Sequence, residues 1–275
     1  MGKVTVRRVP LLLALLAAVV LVALLPAAIA AMQHSTAAAA QHQAAAPAVH
    51  PTASAAAKPL LEQVVIGRSV QGRPIVAIHR WRPGATQRLL VIGNMHGDEQ
   101  AGFRVVHRLL TDSLPSAVDL WLIRSANPDG TAANRRTNAH GVDLNRNFPR
   151  RWVSAGRGTS NWSGPRAASE PETRALLSFV RRFQPRTTFV FHQPLFGVDS
   201  YRAKSIALVR MLSRASGLPV KSLSCNGGCH GTFTDWLNTR TPGRAVTVEF
   251  GAHATGAQIA RMKQAVLTVA VPPKP

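Results

Sequence analysis

Acidic side chains are scarce in this chain: 12 Asp and Glu stand against 33 Lys and Arg in 275 residues, a formal net charge of +21. An imbalance of that size favours polyanionic surroundings such as nucleic acid, anionic lipid or an acidic cell-wall polymer. No zinc-finger spacing, basic helix or aromatic single-strand platform accompanies it, which argues against nucleic acid as a partner. The basic residues are mostly arginine and are scattered from Arg68 to Lys274, a net of +17 over residues 60–275. A dispersed field of this kind fits association with an anionic wall or membrane surface, and equally the habit of an arginine-rich proteome. Cysteine is nearly missing, with only Cys225 and Cys229 in "SCNGGCHG". Two thiols and one adjacent imidazole, His230, are too few for a thiolate zinc centre. A disulfide closing the short loop is the better reading for a protein outside the cytoplasm. Tyrosine is rarer still: Tyr201 stands alone. There is no internal repeat, so the chain is not a solenoid.

Charge is absent altogether from residues 9–31, an apolar run behind the basic "MGKVTVRR". Its length suits a bilayer span, while Pro26 ahead of Ala28-Ile29-Ala30 also suits a signal peptide with an A-x-A cleavage site. Residues 1–31 are therefore a signal peptide or a membrane anchor, and the positive-inside rule puts the rest of the chain outside the cytoplasm. Residues 32–59 are alanine-rich, punctuated by proline and unable to build a core, which makes them a low-complexity linker. Residues 60–275 form one folded domain, secreted or held to the membrane by the leader.

Within that domain, "EQVVIG", "PIVAIHR", "RLLVIGN", "VDLWLIRS", "TTFVFH" and "AVTVEFG" read as strands, several apolar enough to be buried on both faces. Helical patterns alternate with or follow them: "EQAGFRVVHRLLTD", "SEPETRALLSFVRRF", "YRAKSIALVRMLSRAS" and "GAQIARMKQAVLTVA". In "SEPE", Ser169 has the place of an N-cap and Glu172 that of its capping-box partner. The alternation predicts a single three-layer α/β/α domain around a mixed, largely parallel twisted sheet.

Open α/β sheets carry their sites at the carboxyl ends of strands. His96 follows "LLVIGNM", His192 ends "TTFVFH" and Glu249 ends "AVTVEF". A glutamate in so apolar a strand is costly to bury without a purpose. His96 and Glu99, three apart in a turn entering a helix, can converge on one point. With a distant histidine and a water they make an open tetrahedral site for one Zn2+. His192 alone among the other histidines has the strand-end placement; His79 and His107 read as structural, and His140, His230 and His253 lie in loops. Glu249 is then the carboxylate that takes a proton from the water and returns it to a leaving amine. A cation for the oxyanion is available in "NRRTNAHGVDLNRNFPRR". Asp98 points elsewhere, toward capping the following helix or orienting His96.

In chain order, "IGRSVQGRPI", "NMHGDE", "ANPDG", "RTN", "GVDLNRNFP", "GPRAASEPET", "FVFHQP" and "VTVEFG" resemble the zinc carboxypeptidase family of metallopeptidases over residues 66–250. Wording such as "GVDLNRNFP" is most similar to its bacterial murein peptide amidase branch. The resemblance implies His96, Glu99 and His192 as zinc ligands and Glu249 as general acid/base. It implies Arg136 as the arginine at the scissile carbonyl, with Arg135 its rival. Asn145 and Arg146 would hold the free α-carboxylate of the departing residue. The implied activity is hydrolysis of an amide beside a C-terminal carboxylate, in peptidoglycan-derived peptides of the γ-D-glutamyl-diaminopimelate type. A deacylase of small acylamino acids and an inactive, zinc-retaining wall-binding module are the alternatives. One piece departs: many members bring a mobile tyrosine over the substrate from the segment before the catalytic glutamate. Here that segment reads "CNGGCHGTFTDW", offering only His230 as a donor. The resemblance puts the pocket floor near Thr234, with neither the acid expected for lysine or arginine substrates nor a large apolar residue, which fits a polar leaving residue such as diaminopimelate.

Overall fold

The computed structural model describes residues 58–225 and 229–270. The leader and all but the last two residues of the linker lie outside the described residues. Among the described residues no helix is long and apolar enough to cross a membrane.

All six strands expected from sequence form, with ends within two residues of the expectation: β1 (Leu60–Arg68), β2 (Pro74–Trp81), β3 (Gln87–Asn94), β4 (Val118–Ser125), β5 (Thr187–His192) and β8 (Arg244–Gly251). Two more, β6 (Leu195–Asp199) and β7 (Val220–Lys221), extend one edge of an eight-stranded sheet ordered β1-β2-β4-β3-β5-β8-β6-β7. The centre, β4-β3-β5-β8, is parallel. The outer pairings β1–β2, β2–β4 and β8–β6 are antiparallel, so the sheet is mixed with a parallel middle. Central strands read as continuous apolar runs because helices cover both faces: every residue of β5 is buried.

Those helices are α1 (Ala101–Thr111), α2 (Pro128–Ala132), α3 (Pro171–Phe183), α4 (Ile206–Ser216), α5 (Phe233–Arg240) and α6 (Gly256–Ala270). One face of the sheet packs Val91, Phe189 and Val248 against Val105, Leu212 and Val266 of α1, α4 and α6. The opposite face packs Leu90, Ile92 and Val190 against Leu176, Val180 and Trp236 of α3 and α5. Each fully buried Leu, Val or Phe contributes about 1.5–3 kcal/mol. The three-layer reading is thereby met.

Two local expectations fail. The N-cap of α3 is Glu170, with no side-chain cap bond. Ser169 instead donates to Glu170 (2.6 Å), and Glu172 accepts from the Val70 amide and Asn138. The reason is Pro171, which supplies the first helical position and has no amide to cap. Likewise α1 starts after Gln100, which makes no side-chain cap bond, while Asp98 is exposed. Asp98 neither caps the helix nor orients His96.

Candidate metal centre

The parallel centre delivers three side chains to one rim. β5 and β8 run in register so that His192 pairs with Glu249, and β3 delivers the chain into the His96–Glu99 turn, closed by the Glu99 amide on the His96 carbonyl (3.1 Å). That turn is clamped onto the "NPDG" segment: a Cβ at Gly97 would lie 1.9 Å from the Gly130 carbonyl carbon. Only glycine permits so close a backbone approach. Asn127 fixes the other side, its side chain accepting from the Gly130 amide at 2.9 Å.

His96, Glu99 and His192 are 2 %, 7 % and 3 % exposed, and their donor atoms lie together. His96 Nδ1 is 2.8 Å from Glu99 Oε1, His192 Nδ1 is 2.9 Å from Glu99 Oε2, and the two Nδ1 atoms are 3.1 Å apart. Tetrahedral zinc with bonds of about 2.0–2.1 Å needs donors roughly 3.3 Å apart. Two imidazole nitrogens facing each other at this distance over a carboxylate call for a cation between them. Donor types and spacing thus both suit Zn2+.

A fourth residue completes the cluster and was invisible to spacing. Asp143, fully buried, approaches His96 Nε2 at 2.9 Å and accepts from Arg136 Nε and NH2 at 3.1 and 2.8 Å. A carboxylate behind a ligand histidine fixes its tautomer and raises its basicity. Burial alone would lower the His96 pKa, but Asp143 and then Glu99 reverse this and raise it to about 9. Burial would raise that of Glu99, yet His192 and His96 bring it down to about 2. Burial also opposes ionisation of Asp143, whereas His96 and Arg136 hold it well below the ordinary range. Glu99 and Asp143 thus favour positive charge at His96 between them. The sequence signal was present, since Asp143 lies within "GVDLNRN", but its direction depends on a 3-10 turn (Leu144–Arg146) that Asp143 itself caps through the Asn145 amide.

The triad opens onto a cavity of about 600 Å3 whose walls include Arg136, Asn145, Arg146, Asp199, Thr234 and Glu249. The triad, Glu249, Arg136, Asn145 and Arg146 therefore face one space. Of the two rival arginines, Arg136 turns to the site, with NH1 3.1 Å from His96 Nδ1. Arg135 donates to the Asn138 carbonyl (2.7 Å) and is not on this wall. Asn145 is held by the Phe233 amide (3.0 Å), and Arg146 NH1 donates to the Asn145 carbonyl at 2.9 Å. Glu249 is 8 % exposed and accepts from the Leu195 amide at 3.3 Å. Burial pushes its carboxyl up against the pull of His192, and Glu99 adds to the rise.

The remaining expected residues divide between the cavity wall and the scaffold. Cys225 and Cys229 are disulfide-bonded on the cavity wall. His79 is structural, stacked between Trp81 and Trp121 and 2.6 Å from Asp119; His107 is merely exposed on α1. His230 is not on the cavity wall, so the cavity itself does not support it as a donor there. Thr234 is there, hydrogen-bonded to Thr247 (2.7 Å), but two acids, its neighbour Asp235 and the distant Asp199, line the same cavity. Tyr201 lines it too, although it lies only nine residues behind His192 rather than in the segment before Glu249.

A buried His-Glu-His donor set with a neighbouring unliganded glutamate, at the carboxyl rim of a mixed sheet, is the equipment of a zinc metallohydrolase. Comparison with known proteins narrows this. Residues 52–197 match the zinc carboxypeptidase family, and the chain belongs to that family. Murein peptide amidase A of Escherichia coli strain K12 is 32 % identical over 185 residues, covering 62 % of this chain and 74 % of that protein. The crystal structure of murein-tripeptide amidase from Escherichia coli O157 matches 80 % of this chain and 96 % of its own at 28 % identity, TM-score 0.66. Carboxypeptidase A of Helicoverpa armigera shares the fold, at 16 % identity and TM-score 0.65, over 77 % of this chain and 68 % of its own. The protein is a zinc metallopeptidase of the carboxypeptidase and amidase type.

Proposed function

We propose that the protein is exported and hydrolyses the amide bond next to a free C-terminal carboxylate in peptidoglycan-derived peptides, of the γ-D-glutamyl-diaminopimelate type. The observation that carries the reading is the cavity itself, which is lined by the donor triad and Glu249 together with Asn145, 3.4 Å from His192, and Arg146. Arginine and asparagine there give a terminal carboxylate a two-point grip, which fixes how far the scissile amide reaches toward the triad. The names of the murein amidase relatives support the wall-peptide substrate, and the apolar leader supports export.

His96, Glu99 and His192 would hold the metal, with Asp143 behind His96. Zinc supplies Lewis acidity there, polarising the scissile carbonyl and acidifying the attacking water. Glu249 accepts the water's proton on its carboxylate and returns it to the leaving amine; burial, by raising its proton affinity, suits it to both halves of that shuttle. Arg136 steadies the oxyanion with a guanidinium already oriented by Asp143. The polar wall of Thr234, Thr247 and Asp199 suits a leaving residue with a polar side chain.

The test is mass spectrometry of muropeptides and of N-acylamino acids digested by the purified enzyme. Release of diaminopimelate from muropeptides, with N-acylamino acids spared, is the expected result. Turnover of the small acylamino acids alone would replace this reading with a deacylase, and wall binding without turnover would replace it with a binding module.

A further inference from the structure

A second cleft, of about 620 Å3, shares Arg136 and Ser160 with the first cavity. Arg135, His140, Arg157 and Trp162 line it, and no carboxylate is among its lining residues. Two of its basic side chains already have acidic partners: His140 lies 2.8 Å from Glu170, and Arg136 donates to Asp143. Arg135 spends one N–H on the Asn138 carbonyl, and Arg157 is exposed. The charge left over belongs to Arg135 and Arg157. A cleft of this kind is built for an anion.

We infer that this cleft is the acyl-side subsite and that it takes a carboxylate, specifically the free α-carboxylate of a γ-linked glutamyl residue. The inference rests on the function proposed above. With the terminal carboxylate held at Asn145 and Arg146 and the scissile carbonyl at Arg136, the acyl part of the substrate must run the other way. The second cleft, joined to the cavity at Arg136 and Ser160, is the place to receive it. An α-linked residue with a neutral side chain would put no charge there. A γ-linked glutamyl residue puts a carboxylate a few bonds from the scissile carbonyl, within reach of planar guanidinium groups that grip carboxylates in pairs. The two arginines thus select the linkage rather than the leaving residue.

The test compares two synthetic substrates with the zinc-loaded enzyme: γ-D-glutamyl-diaminopimelate with a free α-carboxylate, and the same compound with an α-carboxamide. The carboxylate form is expected to show a KM roughly tenfold lower, the scale of a charge-assisted hydrogen bond, with kcat little changed. Arg157→Gln and Arg135→Gln should erase that preference while cleaving the carboxamide as the wild type does, which also shows that they fold. Equal KM values for both substrates in the wild type would overturn the subsite and leave the proposed function standing. A preference that survives both substitutions would overturn the assignment to these arginines. If neither γ-glutamyl substrate is cleaved but an α-linked peptide loses its terminal residue, the substrate proposed above fails and this inference fails with it.

Discussion

The parallel centre of the sheet and its β6–β7 edge build the same cavity by opposite means. In the centre, β3, β5 and β8 are buried on both faces, so an ionisable residue at a strand end stands out against an apolar run. His96, His192 and Glu249 were legible for that reason. At the edge, β6 is "LFGVD" with a glycine in the middle and two exposed apolar residues, and β7 is two residues long. Neither shows a period, yet together they bring Asp199 and Tyr201 to the cavity. A strand that is stabilised by pairing rather than by its own pattern leaves no mark in the sequence.

Substitutions at the centre should have the largest effect. His96→Ala or His192→Ala is expected to reduce bound zinc from one per chain to background and abolish peptide hydrolysis, measured by metal analysis alongside an activity assay. A variant that keeps stoichiometric zinc would remove that histidine from the donor set.

Asp143 separates position in sequence from position in space. Asp143→Asn is expected to weaken zinc binding roughly 10- to 100-fold in chelator competition. Asp98→Asn, next but one to His96 in sequence but exposed, should leave the affinity unchanged. Equal losses would contradict the role given to Asp143.

The smallest effect belongs to the edge. Burial raises the Asp199 carboxyl from 3.8 to about 6 against its bonds from the Leu223 and Tyr201 amides, and Glu249 adds to the rise. Because the folded value exceeds the unfolded one, the folded protein keeps a proton that the unfolded chain releases. Stability from this group is present below about pH 4 and is lost as pH rises through about 6. In metal-stripped protein, Asp199→Asn should gain thermal stability relative to wild type as pH rises through that window, by on the order of 1–3 kcal/mol. Parallel curves would show that folding leaves the Asp199 carboxyl unshifted.

Most of the fold was readable because alternation of buried strands with amphipathic helices is a direct consequence of a covered sheet. The features with no sequence signal are those set by local backbone geometry or by mixed burial. Pro171 displaces the cap expected at Ser169. Helix α5 buries Asp235 and Asn238 beside Phe233 and Trp236, which erases its apolar stripe. The donor triad and its glutamate were readable from strand ends, whereas the choice of Arg136 over Arg135 needed the resemblance, and the orientation of each guanidinium appeared only in the fold.

The central claim is that Glu249 moves the proton while three other residues hold the metal. Its most direct test is Glu249→Gln, assayed for zinc content and for hydrolysis of muropeptides beside the wild type. The expected variant binds one zinc per chain with unchanged affinity and loses roughly 10^2–10^4 in kcat. A variant that hydrolyses as fast as the wild type, or that loses zinc as His192→Ala does, would contradict it.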